Sequence, residues 1–324
     1  MGGTVLCTGP PLAAEAYTAL ERHGLGWVDT PADASGAELA SLARRHEVDA
    51  IVVRTGAVTA EVVHASPKLR LIVKHGIGVD NIDLSAATAR GVPVVNVPDA
   101  IADAVAEMTV TMLFALAKHL CRLDRALHNG VWQKSLVGTA LSEQTLGCIG
   151  MGRIARKILP LVSPLSIEVV AYDKYVPAKR FPDGVGKMET LNELLAVSDT
   201  VVVLCPKTPE TIGLIGEAEL DVMKDTAFLI NTARGGIVDE AALAKALNSG
   251  KIAGAALDTF EHEPLDPNSP LIGCENIVLT PHVAASTASA LRRTGVRCAE
   301  IASGFLEGGP LDRTNLINRD VRFA

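Results

Sequence analysis

Arg234, Glu263 and His282 each follow an apolar, strand-like run. Arg234 stands in Ile230-Asn231-Thr232-Ala233-Arg234-Gly235-Gly236, Glu263 in Leu257-Asp258-Thr259-Phe260-Glu261-His262-Glu263-Pro264, and His282 in Leu279-Thr280-Pro281-His282. In open α/β sheets the carboxyl ends of the strands converge on one crevice. Reduction of a 2-keto acid needs a hydride, a proton on the carbonyl oxygen and a clamp on the carboxylate. Arg offers a permanently charged fork suited to a carboxylate. His is a proton donor near neutral pH. A carboxylate on its other ring nitrogen orients the imidazole and favours its charged form. Taken singly, a strand-end Arg is often a solvated charge and a His before an apolar run is often a core residue. Joint placement is what carries the reading.

The hydride has a source in Gly150-Met151-Gly152-Arg153-Ile154-Ala155, which follows the run Thr145 to Ile149 and opens a helix. Gly150 allows the tight turn and Gly152 lets the backbone approach a pyrophosphate. Ala155 permits close helix-on-strand packing, and the helix N-terminus favours phosphate charge. The next strand ends in Val170-Ala171-Tyr172-Asp173. An acid there accepts hydrogen bonds from the adenine ribose hydroxyls and repels a 2′-phosphate, so NAD is expected over NADP.

Short apolar runs alternate with helix-like segments almost throughout, which predicts βαβ units and parallel sheets. One group of strands is expected at Thr4 to Thr8, Ala50 to Arg54, Leu71 to Lys74 and Val92 to Val97. A second is expected at Thr145 to Ile149, Glu168 to Tyr172, Thr200 to Leu204, Ala227 to Asn231, Gly254 to Leu257 and Ile277 to Thr280. A long helix, Ala100 to His128, stands between them and stops at Asn129-Gly130. A final helix is expected over Ala288 to Glu307. Because the glycine turn lies mid-chain, the expected class is α/β with two doubly wound domains. A Rossmann cofactor domain, residues 99–287, would be inserted into a flavodoxin-like substrate domain, residues 1–98 and 288–324, with hinges at the crossings.

Composition is that of a globular protein, with 48% hydrophobic and 21% charged residues. A net charge of −7 without a long Lys or Arg run argues against nucleic acid and anionic membrane as partners. The apolar stretch Val105 to Leu120 carries Glu107 and Lys118 and reads as a buried helix. The start lacks a secretory pattern, so a cytoplasmic location is expected. Six cysteines without CxxC spacing read as reduced thiols. His262 between two glutamates does not offer ligands on one helical face, and no metal is expected.

These residues together resemble the D-isomer-specific 2-hydroxyacid dehydrogenase family, most closely its phosphoglycerate dehydrogenase-like branch. The resemblance runs from Ile51-Val52-Val53-Arg54 through Gly76-Ile77-Gly78-Val79-Asp80-Asn81 to Pro281-His282-Val283-Ala284-Ala285-Ser286-Thr287. It implies Arg234 as substrate clamp, His282 as acid/base and Glu263 as its partner. It implies that Asp258 holds the nicotinamide amide and that Cys205-Pro206 lies along the adenosine. Thr232, Ala233, Arg234 and His282 would border the cofactor, and the backbone of Gly76, Ile77 and Gly78 would receive the substrate carboxylate. Formate dehydrogenases of the family carry Gln where this chain has Glu263, which disfavours formate. A homodimer is the family expectation, with Val105 to Leu120 and the arm around Trp132 compatible with it.

Phosphoglycerate dehydrogenases of the family contact phosphate through an Arg at the position of Arg54 and a second where this chain has His75. Arg54, Lys74 and His75 therefore lead to the expectation of a small 2-hydroxy or 2-keto acid with a polar or anionic tail: phosphate, sulfonate, carboxylate or hydroxymethyl. No regulatory domain is expected after Ala324. The same constellation would also serve an NAD(H)-sensing corepressor, or another oxidation such as that of phosphite.

Overall fold

The computed structural model describes residues 2–323. The chain forms two compact units. One runs up to Ile101 and resumes at Ser286, and the other spans Ala102–Ala285.

The first unit is a five-stranded sheet of β1 (Thr4–Thr8), β2 (Gly26–Asp29), β3 (Ala50–Val53), β4 (Leu71–Lys74) and β5 (Val94–Asn96). Its order is β2-β1-β3-β4-β5, and every pairing is parallel. This flavodoxin-like order reverses between β1 and β3, so the switch point opens where Arg54 follows β3. Both sheet faces are covered. Val5, Cys7, Val52 and Val73 face a cluster with Ala16, Leu20, Cys298, Ala299 and Ala302. Leu6, Ile51, Val53 and Ile72 face another with Leu39, Ala43 and Val62. Two-sided burial explains why these strands are continuous apolar runs. The helix Ala288–Leu306 returns to this sheet beside the helix Ala14–Arg22. A Cβ at Gly295 would lie 3.2 Å from the Ala16 methyl, so glycine sets that close approach.

The second unit is a seven-stranded sheet of β6 (Thr145–Ile149), β7 (Glu168–Tyr172), β8 (Val185–Lys187), β9 (Thr200–Val203), β10 (Phe228–Asn231), β11 (Gly254–Leu257) and β12 (Ile277–Leu279). Its order is β12-β11-β10-β9-β6-β7-β8, again all parallel. The reversal falls between β6 and β9, beside the glycine turn.

Three expectations change. The strands β2 and β8 are not visible as apolar runs, because each lies at a sheet edge and is partly exposed. The single long helix is two, Ala102–Ala117 and Leu120–His128, bent by 62°. His119 sits between them in the left-handed region, with φ 51° and ψ 30°. The arm beyond Gly130 supplies the reason. Thr139 N–H donates to the Ala117 carbonyl (2.8 Å), and the Lys118 ammonium donates to the Thr139 carbonyl (2.8 Å). The first helix is buried against the sheet through Ala106, Met112, Leu113 and Leu116. The second buries no residue. Among the described residues no single helix is long and apolar enough to cross a membrane, although this bent pair passes by length and composition alone.

Candidate active site

In the second unit the turn after β6 has the shape a dinucleotide needs. Gly150 has φ 103°, and a Cβ there would press within 3.2 Å of the Leu204 carbonyl and the Cys205 nitrogen. Gly152 is exposed, and a Cβ there would point into open space. It precedes the helix Arg153–Val162, whose N-terminus has no side-chain cap. Arg153 is exposed, Ile154 half-buried and Ala155 buried. A glycine cradle, bare helix N–H groups and open space over them fit a pyrophosphate. Asp173 closes the turn from β7: its Oδ2 accepts from the Met151 N–H (2.9 Å), and its Oδ1 from the Tyr175 and Val176 N–H groups (2.9 and 3.0 Å). Cys205 and Pro206 follow β9, and burial pushes the Cys205 thiol up to about 11, so it packs as a neutral group.

Beyond β10, Asn231 folds the chain back on itself. Its Oδ1 accepts from the Ala233 N–H (3.0 Å), and its Nδ2 donates to the Arg234 carbonyl (2.9 Å). Thr232 shares a hydrogen bond with Thr109 (2.9 Å), and the Arg234 guanidinium donates to the Ala233 carbonyl (2.6 Å). A Cβ at Gly235 would stand 1.8 Å from the Phe260 carbonyl, so only glycine lets this turn reach the next one. Thr109 carries no pattern in the sequence, and Asn231 stands in the strand-end run without a role of its own. A buried Asn at a strand end was the available signal.

The turn after β11 meets the turn after β12. Glu263 Oε1 accepts from the Phe260 N–H (3.0 Å), and Oε2 lies 2.7 Å from His282 Nδ1. Burial alone would raise the Glu263 carboxyl. The hydrogen bonds from His282 and the Phe260 N–H, with the charges of His282 and Arg234, outweigh it and hold the carboxyl below the usual range. His282 has φ 53°, and its side chain is 46% exposed with Nδ1 turned to Glu263. Asp258 is completely buried. Its Oδ1 accepts from the Thr280 hydroxyl (2.6 Å) and the Val283 N–H (2.9 Å), and its Oδ2 from the Ala284 N–H (2.8 Å). It therefore ties down the turn that holds His282 left-handed. Among the described residues no three His, Cys, Asp or Glu side chains gather as metal ligands.

The first unit places the expected tail residues at the ends of β3 and β4. Arg54 donates to the Pro10 (2.7 Å) and Pro11 carbonyls. Lys74 donates to the Arg54 carbonyl (3.1 Å) and to Asn81 (3.0 Å). His75 packs by Gly295, with Nε2 3.9 Å from where a Cβ there would stand. Burial, then the Arg54 charge, pushes its imidazole down to about 4, so it is neutral at pH 7. Gly76 has φ 137°, a backbone setting reserved for glycine.

A measurable consequence follows from His75. Its folded value lies below its ordinary one, so the unfolded chain binds the proton first. Stability is full above about pH 6.5 and is lost as the pH falls toward about 4. Urea unfolding at pH 7 and pH 4.5 is expected to show His75→Gln losing less stability than wild type, by on the order of 2–3 kcal/mol. Equal losses in both proteins would show that His75 titrates normally.

The chain resembles known proteins along most of its length. Residues 110–284 match the family model described as "D-isomer specific 2-hydroxyacid dehydrogenase, NAD binding domain". A D-3-phosphoglycerate dehydrogenase of Archaeoglobus fulgidus is 40% identical over 303 residues, covering 93% of this chain and 57% of that protein. The chain thus spans little more than half the length of that relative. A glyoxylate reductase of Thermofilum pendens is 40% identical over 267 residues, covering 78% of this chain and 77% of that protein. A solved NAD-dependent formate dehydrogenase of Staphylococcus aureus, in complex with NAD, superposes with a TM-score of 0.86 at 26% identity, covering 97% of this chain and 98% of that one.

Proposed function

The chain belongs to the D-isomer-specific 2-hydroxyacid dehydrogenase family, and from that membership we propose that it interconverts a small D-2-hydroxy acid and its 2-keto acid with NAD. The observation that carries this reading is the 2.7 Å bond between His282 Nδ1 and Glu263, formed beside Arg234. Bound NAD supplies or accepts the hydride at C2. Gly150, Gly152 and the N-terminus of Arg153–Val162 would hold its pyrophosphate, and Asp173 would read its adenine ribose. Arg234 pairs with the substrate carboxylate and polarises the carbonyl. His282 Nε2 gives the proton to the carbonyl oxygen in reduction and takes it back in oxidation. Glu263 orients the ring, and Asp258 holds the turn beneath it. In this reading the unit Ala102–Ala285 is the cofactor domain and the other unit the substrate domain.

The tail follows from the charges of the first unit. A phosphate dianion is best held by two cations. Here His75 is neutral, Arg54 is bound to two carbonyls, and Lys74 is bound to the Arg54 carbonyl and Asn81. A short polar tail is favoured over a phosphorylated one, as in hydroxypyruvate. Comparing kcat/KM for hydroxypyruvate, 3-phosphohydroxypyruvate, sulfopyruvate, oxaloacetate and pyruvate tests this. A preference for 3-phosphohydroxypyruvate would overturn the tail assignment. NADH binding without reduction of any acid would favour a sensing role instead.

The protein works as a homodimer in the cytoplasm. Leu120 and Leu127 on the second helix, with Val131, Trp132 and Val137 on the arm, are large apolar side chains left exposed, Trp132 by 74%. A second copy of this chain covers them. Sedimentation of Trp132→Glu is expected to give a monomer where wild type gives a dimer, and a monomeric wild type would remove the idea. Six free thiols, four of them buried, suit a reducing compartment.

A further inference from the structure

Two opposite charges stand side by side where the adenine ribose is read. Asp173 directly follows β7, and Lys174 comes next. In dinucleotide-binding folds an acid here selects NAD, whereas a nearby cation accommodates the 2′-phosphate of NADP. The sequence alone therefore gives conflicting signals at adjacent positions. A third residue, from a different turn, resolves the conflict. Beyond β9 the chain passes Cys205-Pro206 and turns back at Thr208 to Thr211. The Thr211 hydroxyl accepts from the Thr208 N–H (2.8 Å) and donates to the Pro206 carbonyl (2.7 Å). That turn presents Glu210. Its Oε2 accepts from the Lys174 ammonium and also from the Tyr175 hydroxyl (2.7 Å). The ammonium lies over the Tyr175 ring, 5.0 Å from its centroid. Lys174 is thus held by a carboxylate and an aromatic face together. Asp173 keeps the start of the same segment in place through the Tyr175 and Val176 N–H groups.

We propose that Glu210 is a cofactor-specificity residue: by holding Lys174 against Tyr175 it withholds the cation beside Asp173 from a 2′-phosphate and keeps the site selective for NAD. The inference rests on the dinucleotide reading of this unit and adds a residue to it. Asp173 discriminates by repelling the phosphate, and Glu210 discriminates by occupying the cation that would attract it. The pairing also pushes the Lys174 ammonium up to about 12, chiefly through its hydrogen bond to Glu210. The cation is therefore fully charged at working pH, and its availability depends on its partner.

The experiment measures dissociation constants for NADH and NADPH by nicotinamide fluorescence on the full chain, so it reads binding whether or not any acid is reduced. Four proteins are compared: wild type, Glu210→Gln, Lys174→Gln and the double variant. Glu210→Gln is expected to raise the affinity for NADPH relative to NADH by about fivefold to tenfold, the size expected when a unit charge near a phosphate is released in a wet site. The gain is expected to shrink between about 0.1 M and 1 M salt, as screening demands. In the double variant the gain is expected to vanish, because Lys174 is its agent. An unchanged ratio in Glu210→Gln overturns the proposal. So does an equal gain in the double variant, which would mean that Glu210 acts on the phosphate directly. If neither dinucleotide binds wild type, the cofactor reading falls with it. If NADH binds and only the ratio fails to move, the cofactor reading stands and this inference alone is lost.

Discussion

Replacing His282 with alanine is expected to lower kcat by about three orders of magnitude while NADH affinity stays within about twofold. The size follows from what the side chain does. General acid–base catalysis contributes roughly 10²–10⁴-fold, and in this chain the His282 side chain is partly exposed with Nδ1 held by Glu263. The fold should survive the change, because the ring is half exposed and its bonds are to one carboxylate. Pre-steady-state reduction with saturating NADH reads the chemical step, and a fluorescence titration reads the cofactor. Turnover near the wild-type rate would remove His282 from its role. Loss of NADH binding would make it a cofactor residue.

Asp258→Ala is expected to cost both stability and activity. The carboxylate accepts from the Thr280 hydroxyl and the Val283 and Ala284 N–H groups, and none of it reaches solvent. Each buried donor left without an acceptor costs about 1–3 kcal/mol, part of which relaxation recovers. A loss of about 3 kcal/mol is expected, or roughly 6–12 °C in the Tm of a unit of this size. The turn would also cease to hold His282 left-handed. A displacement of about 1 Å at a catalytic group costs on the order of a hundredfold in rate. The family resemblance alone implies a different outcome. A residue that only held the nicotinamide amide would raise the dissociation constant for NADH and leave Tm alone. Differential scanning calorimetry and a cofactor titration on one variant separate the two.

The difference between those outcomes shows where the sequence was legible. Periodicity and β-branched runs marked ten of the twelve strands, because a strand buried on both faces must be apolar at every position. The edges β2 and β8 carry no such constraint. The break at His119 is hidden, since the hydrogen bonds that accompany it join Ala117 and Lys118 to Thr139, twenty residues beyond His119. At the site, the residues proposed to touch ligand are legible by type: glycines for a turn, an acid at a strand end, an Arg and a His behind a fingerprint. The residues that hold them are not. The three donors on Asp258 come from the turn after β12 and have no signature in the sequence. Glu210 reads as one more surface acid until it is found on Lys174, thirty-six residues away in sequence. His75 reads as a second positive group until its burial is known. Each of these depends on which turns meet in space, and a pattern of residue types does not encode that.

Deuterium transfer tests the central claim most directly. The protein is supplied with hydroxypyruvate and NADH carrying deuterium at C4 of the nicotinamide, on either face, and the product is examined by mass spectrometry and chiral chromatography. The account predicts that label from one face appears at C2 of the hydroxy acid, that the product is the D enantiomer, and that His282→Ala slows the transfer by about three orders of magnitude. Tight NADH binding with no label in any 2-hydroxy acid, across the whole panel of keto acids, would contradict it.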